Sequence, residues 1–232
     1  MPSLPKASAG TEVESFLEAA KNIQPPDTKG ERGRLILALD ATMSRQPTWD
    51  RALAIQSKMF VEAAKASGLD IQLVYFRGFD ECQASRWTSD AKALAGLMSK
   101  VDCRGGNTQI ARVLKHATQE TAKKKVHAVV YVGDAVEENI DGLCQAAGEI
   151  GLLATPLFMF LEGNDGGAAR AFKEIARLSG GAFHQLDSSS PAILGQLLAA
   201  VAAYASGGKA ALTRLEKAGN AASRLLLSQM KI

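Results

Sequence analysis

Short apolar runs alternate along this chain with longer stretches in which apolar residues return every three or four positions. The runs RLILALD (34–40), LDIQLVYFRG (69–78), VHAVVYVGD (126–134), ATPLFMFLEG (154–163) and AFHQLD (182–187) suit strands buried on both faces. Pro156 is tolerable because it falls near the start of its run. Between the runs the periodicity becomes helical. Residues 48–68 place Leu53, Met59, Phe60 and Ala63 on one face and stop at Gly68. Further helices are predicted near 90–100, from Thr108 to Lys124, and over 140–151, 166–181 and 190–208, the last opened by Ser190-Pro191. ECQASRWT (81–88) is different, because its polar and apolar residues alternate as in a half-exposed strand. Only Gly78-Phe79-Asp80 separates it from the preceding strand, which is too short for a crossover helix. That pair must be an antiparallel hairpin.

Six strands alternating with helices predict an α/β fold: a Rossmann-like open sheet, mostly parallel, with one antiparallel edge strand and helices on both faces. TEVESFLEAAKNI (11–23) reads as a short helix with a Thr11–Glu14 capping box, and QPPDTKGERG after it as a linker. The expected organisation is an N-terminal helical arm and linker (1–29), one main domain (30–205) and a basic C-terminal helical tail (206–232). The tail sets Leu212, Leu215, Ala222, Leu225, Leu226 and Met230 at roughly helical spacing, interrupted at Gly219-Asn220. Packing of this helix onto its own domain is the expectation. A partner-binding helix is the alternative, and the sparse basic face argues against a membrane-surface helix.

Composition narrows the class. The 232 residues are 47% hydrophobic and 22% charged, ordinary for a globular protein and unlike collagen, coiled-coil or disordered chains. A formal net charge of +3 is too small for an electrostatic nucleic-acid binder. The tail alone carries Lys209, Arg214, Lys217, Arg224 and Lys231 against Glu216, which leaves the rest near neutral. No apolar run approaches the roughly 20 residues of a membrane span, and MPSLPKASAGTEVESF lacks the apolar core of a secretory signal. Cys82, Cys103 and Cys144 form no CxxC and are odd in number. A soluble, reduced, cytoplasmic protein is therefore expected.

Ligands of open α/β sheets bind beyond the carboxyl ends of the strands. After the first strand comes Asp40-Ala41-Thr42-Met43-Ser44, a carboxylate and two hydroxyls at alternate positions, which lets all three side chains point the same way. After the fourth comes Gly133-Asp134, and between them Gly105-Gly106-Asn107-Thr108 sets a hydroxyl at a helix start. Asp40, Thr42, Ser44, Thr108 and Asp134 are all hard oxygen donors, suited to a hard cation such as Mg2+, with Mn2+ or Ca2+ as substitutes. So little negative charge leaves the ion electrophilic, with a position for a partner's carboxylate. Capping of the following helices by Asp or Ser would be the simpler role, but it does not account for the D-x-T-x-S alternation.

This constellation resembles the von Willebrand factor A domain and its metal ion-dependent adhesion site. The family's Asp-x-Ser-x-Ser element matches Asp40, Thr42 and Ser44, its distant Thr matches Thr108 in GGNT, and its second Asp matches Asp134. Thr42 stands where Ser is usual and Ala135 where Gly is common. The resemblance covers roughly residues 33–205. It implies a non-enzymatic, metal-dependent protein-interaction module that binds an Asp or Glu of a protein partner, as an accessory or scaffold component of a larger assembly. It also implies a possible shift of the helix near 191–205 on metal ligation. Arg45 and Gln46 beside Ser44, and Asn107, are the expected partner contacts.

Two other readings compete. Haloacid dehalogenase-type phosphotransferases resemble hhhh-Asp-x-Asp-x-Thr, but Thr42 occupies the place of their general acid. A Mg-dependent hydrolase or phosphatase would have to use Asp40. Neither Gly105-Gly106-Asn107-Thr108 nor Gly207-Gly208-Lys209 fits GxxxxGK[ST]. The third possibility is a metal-free scaffold of the same fold. His116, His127 and His184 are far apart in sequence and away from the expected metal rim, and Asp80, Glu81, Glu137 and Glu138 read as an acidic rim of mostly solvated charges.

Overall fold

The computed structural model describes residues 32–45, 68–186 and 191–230. The helices predicted at 11–23 and 48–68, and Gln46, lie outside the described residues. The six predicted strands form: β1 (Gly33–Asp40), β2 (Leu69–Arg77), β3 (Glu81–Ala84), β4 (Ala128–Gly133), β5 (Leu157–Glu162) and β6 (Ala182–Leu186). They make one sheet in the order β3-β2-β1-β4-β5-β6. All neighbouring pairs are parallel except β2 and β3. The helices are α1 (Ala91–Met98), α2 (Ile110–Lys123), α3 (Ile140–Leu152), α4 (Gly166–Leu178), α5 (Pro191–Lys217) and α6 (Ala221–Gln229).

β1 lies at the centre and is buried throughout. Its side chains alternate between the faces, as a period of two requires. Leu35, Leu37 and Leu39 join a cluster with Leu197, Leu198 and Val201 of α5, while Ile36 and Ala38 join one with Val113 of α2 and Phe172 of α4. Two cores, one per face, account for the continuous apolar run.

The predicted third strand is shorter than its alternating pattern suggested. The strand ends at Ala84, one further backbone bond runs from the Ser85 amide to the Leu73 carbonyl, and pairing returns at a bridge between Ile71 and Thr88. In the gap, the Ser85 hydroxyl accepts from the Leu73 amide in place of a backbone carbonyl. Trp87 then turns inward: its indole N–H donates to Glu120 at 2.7 Å, and the Arg34 guanidinium lies 3.8 Å from its ring centroid. A tryptophan with a buried partner overrides the strand pattern.

α5 bends at Gly207 and Gly208, where Gly208 has φ +60 and ψ −160, a conformation effectively confined to glycine. The bend brings the basic tail back. Leu212, Ala222, Leu226 and Met230 join the α5-side core. The Gln229 amide both accepts from the Phe183 N–H and donates to its carbonyl, each at 2.9 Å, which closes off part of the outer edge of β6. No helix among the described residues is long and apolar enough to cross a membrane.

Candidate metal centre

β1 delivers Asp40 to the carboxyl edge at the middle of the sheet. There the chain makes a single 3-10 turn, Met43–Arg45. The Thr42 amide donates to Asp40 Oδ1 at 2.8 Å, so the aspartate orders the turn that follows it. Thr42 Oγ1 and Ser44 Oγ lie 3.1 Å apart. The alternation therefore sets both hydroxyls together. The Arg104 amide donates to the Ala41 carbonyl, tying this turn to the glycine loop.

Thr108 lies just ahead of α2 rather than inside the predicted helix. Its hydroxyl accepts from the Glu137 amide at 3.0 Å, and its own amide donates to Glu137 Oε2 at 2.9 Å. Glu138 accepts from the Ile110 and Ala111 amides at 2.6 and 2.8 Å, capping α2 from the loop after β4. Glu137 and Glu138 are thus not a merely solvated rim: they clamp the Thr108 loop to the loop of Asp134, and the negative charge is well placed at a helix start. Sequence spacing gave no signal for this cap, because donor and acceptor lie nearly thirty positions apart. Gly106 packs against the β2–β3 turn so closely that a Cβ there would stand 1.9 Å from the Gly78 carbonyl oxygen.

These elements surround a cleft of about 300 Å3 lined by Thr42, Ser44, Thr108, Asp134 and Glu137, with Met43 and the two glycines at its wall. Asp40 lies beneath, fully buried. Burial pushes its carboxyl up to about 6, opposed by the Thr42 hydrogen bonds and the Arg45 charge and reinforced by the Asp134 charge. Asp40 Oδ2 and Asp134 Oδ1 are both buried without a hydrogen-bond partner among the described residues. So is the hydroxyl of Tyr131, which feels the charges of Asp40, Glu138 and Asp134 and whose pKa burial raises well above 10. Buried polar atoms are normally satisfied. Two orphaned carboxylate oxygens beside three hydroxyls therefore fit an oxygen-coordinated divalent cation. No cluster of three or more His, Cys, Asp or Glu among the described residues could hold a metal, so any ion here depends on hydroxyl ligands.

Arg45 is not the surface contact that its position beside Ser44 suggested. It is 1% exposed, and its guanidinium grips both oxygens of Glu162 at 2.7 and 3.1 Å while donating to the Asp40 and Val132 carbonyls. The 3-10 turn aims the side chain under the site, where it joins the ends of β1, β4 and β5. Asn107 is exposed, and its backbone N–H donates to the Gly78 carbonyl. The three histidines stay apart from the cleft: His127 accepts from the Arg34 amide and His116 pairs with Gln72.

Structural comparison places this architecture. A von Willebrand factor type A protein from Catenulispora acidiphila superposes with a TM-score of 0.61 at 17% identity, over 77% of this chain and 43% of its own length. The VWA domain of SpRpn10 gives 0.56 at 10% identity, over 71% of this chain and 95% of that domain. The fold is that of a von Willebrand factor A domain. The ArnB paralog VWA2 from Sulfolobus acidocaldarius agrees, with 0.51 at 14% identity, over 72% of this chain and 45% of its own. This chain spans less than half of the first and third of these proteins. No protein-family model and no curated protein matches the sequence.

Proposed function

We propose that this A-domain chain is a non-catalytic protein-interaction module that binds Mg2+, or Mn2+ or Ca2+, and through it an acidic residue of a protein partner. What carries the reading is the pair of buried, unpartnered oxygens on Asp40 and Asp134 at a cleft that also presents the hydroxyls of Thr42, Ser44 and Thr108. These five residues would hold the ion, which when bound would supply an electrophilic position for a carboxylate. Asp40 fixes the turn through its Oδ1 and keeps Oδ2 free. Glu137 and Glu138 hold the two loops in register, and the Arg45–Glu162 pair braces the floor.

The position two beyond Asp40 is Thr42, which supplies no general acid, and this supports the binding role over the hydrolase reading. The test is calorimetric titration of Mg2+ and Mn2+ into chelator-treated protein, with Asp134→Ala as control. One-site binding lost in the variant supports the proposal. Absence of heat, with no rise in melting temperature at millimolar Mg2+, leaves the metal-free scaffold as the reading of this fold.

A further inference from the structure

The two edges of the sheet are treated differently. At β6, Gln229 of α6 occupies both main-chain groups of Phe183. At the opposite edge, the hydrogen-bonding parity of β3 is set by Ser85, whose amide donates to the Leu73 carbonyl. Continuing that register, Gln83 opposite Tyr75 and Glu81 opposite Arg77 turn their main chain toward β2. Consistently, the Phe76 carbonyl points the other way, accepting from the Ala41 amide on the β1 side. Cys82 and Ala84 therefore direct their N–H and C=O groups outward. No described residue pairs with this edge as a further strand. An edge of this kind is a template for another strand unless it is blocked.

A groove of about 200 Å3 runs along it, lined by Cys82, Gln83 and Ala84 on one side and Arg112, Lys115 and His116 of α2 on the other. Cys82 packs against the α2-side core, so a residue placed opposite Cys82 or Ala84 in an added strand would point to this same face, toward α2. The cationic groups there are Arg112, which is paired with Asp80 at 2.7 Å, and Lys115, which has no ion pair among the described residues. Burial lowers the pKa of His116, with the Glu120 charge opposing this and the Lys123 charge adding to it. Glu81, the acidic residue on β3, is engaged by Arg77.

We propose that the β3 edge and the α2 groove form a second, metal-independent docking site for an extended acidic segment of a partner protein. The segment pairs with the four outward main-chain groups of Cys82 and Ala84 and sets its carboxylates against Lys115 and Arg112. Backbone pairing supplies the binding and the α2 charges select the side chains. β3 spans only about 13 Å at roughly 3.3 Å per residue, so the segment is short.

Fluorescence anisotropy with a labelled Val-Glu-Val-Glu-Val-Glu peptide tests this, against a control with Lys in place of every Glu. The acidic peptide is expected to saturate and the basic one to bind at least about tenfold more weakly, a difference of about 1.4 kcal/mol. Chelator and Asp134→Ala should leave that binding unchanged, whereas they abolish the metal titration, so failure of one site is distinguishable from failure of the other. Ala84→Pro, which removes an outward N–H at an edge that tolerates proline, should abolish binding. Should that variant not fold, N-methylation of every backbone amide of the peptide blocks pairing in either strand direction without altering the protein, and must also abolish binding. Lys115→Glu should reverse the charge preference. No saturation below about 1 mM, equal binding of the two peptides, or full binding of the N-methylated peptide overturns the proposal.

Discussion

Arg45 and Lys125 each place a charge where burial sets its behaviour. Removing the arginine leaves Glu162, 14% exposed, without its bidentate partner. Arg45→Met is therefore expected to cost about 3–5 kcal/mol in urea unfolding, and Arg45→Met with Glu162→Gln markedly less than the single change. A loss below about 1 kcal/mol in the single variant would mean that the pair braces nothing. Lys125 donates to the Ala154 carbonyl and Thr155 hydroxyl, and burial lowers its pKa from 10.5 to about 8. Between those values the folded chain binds fewer protons than the unfolded one, so this group's contribution to stability rises with pH through that window. Below about 8 the cost of burying the charge is present in full. The 13Cε resonance of Lys125 should titrate near pH 8; a midpoint above 10 contradicts the burial account. At this scale the sequence was informative where chemistry repeats locally. The D-x-T-x-S alternation shows itself in the 3.1 Å contact of Thr42 and Ser44. The direction of Arg45 was not legible, because one 3-10 turn decides whether a side chain beside the site faces solvent or core.

Elements were legible in kind and less so in extent. Buried runs of Val, Leu and Ile identify parallel strands irrespective of tertiary detail, and each appeared within a few residues of its predicted ends. β3 stopped early because Trp87 found Glu120 and Arg34, partners 33 and 53 positions away that no local pattern encodes. The same distance hid the cap of α2. Glu138→Ala removes the acceptor of two α2 amides and is expected to cost about 1 kcal/mol in urea unfolding, the usual effect of losing a helix cap. The proposed Mg2+ binding should also weaken several-fold, since only the Glu137 hydrogen bonds then hold the Thr108 loop to the loop of Asp134. Unchanged stability and unchanged metal affinity together would remove the clamp from the account.

At the scale of the whole molecule, α6 covers part of one edge of the sheet. Leu226 is fully buried in the α5-side core and Gln229 ties α6 to β6. Leu226→Ala is expected to cost about 2–5 kcal/mol, as core truncations do, and a change under about 0.5 would mean that α6 does not cover this edge in solution. The helical spacing of Leu212, Leu225 and Leu226 pointed to this packing. The Gly207-Gly208 bend that makes it possible reads in the sequence only as a helix end.

The candidate metal centre gathers residues from two strand ends, those of β1 and β4, and from the loop ahead of α2, and its proposed role rests on the orphaned oxygens of Asp40 and Asp134. The most direct measurement is Mn2+ titration followed by paramagnetic broadening of assigned amide resonances. The account predicts that substoichiometric Mn2+ selectively erases the amide signals of Thr42, Ser44, Thr108 and Asp134, that excess Mg2+ restores them, and that Asp134→Ala prevents the effect. Broadening confined to exposed carboxylates such as Asp80 and Asp102, or none at stoichiometric Mn2+, contradicts it.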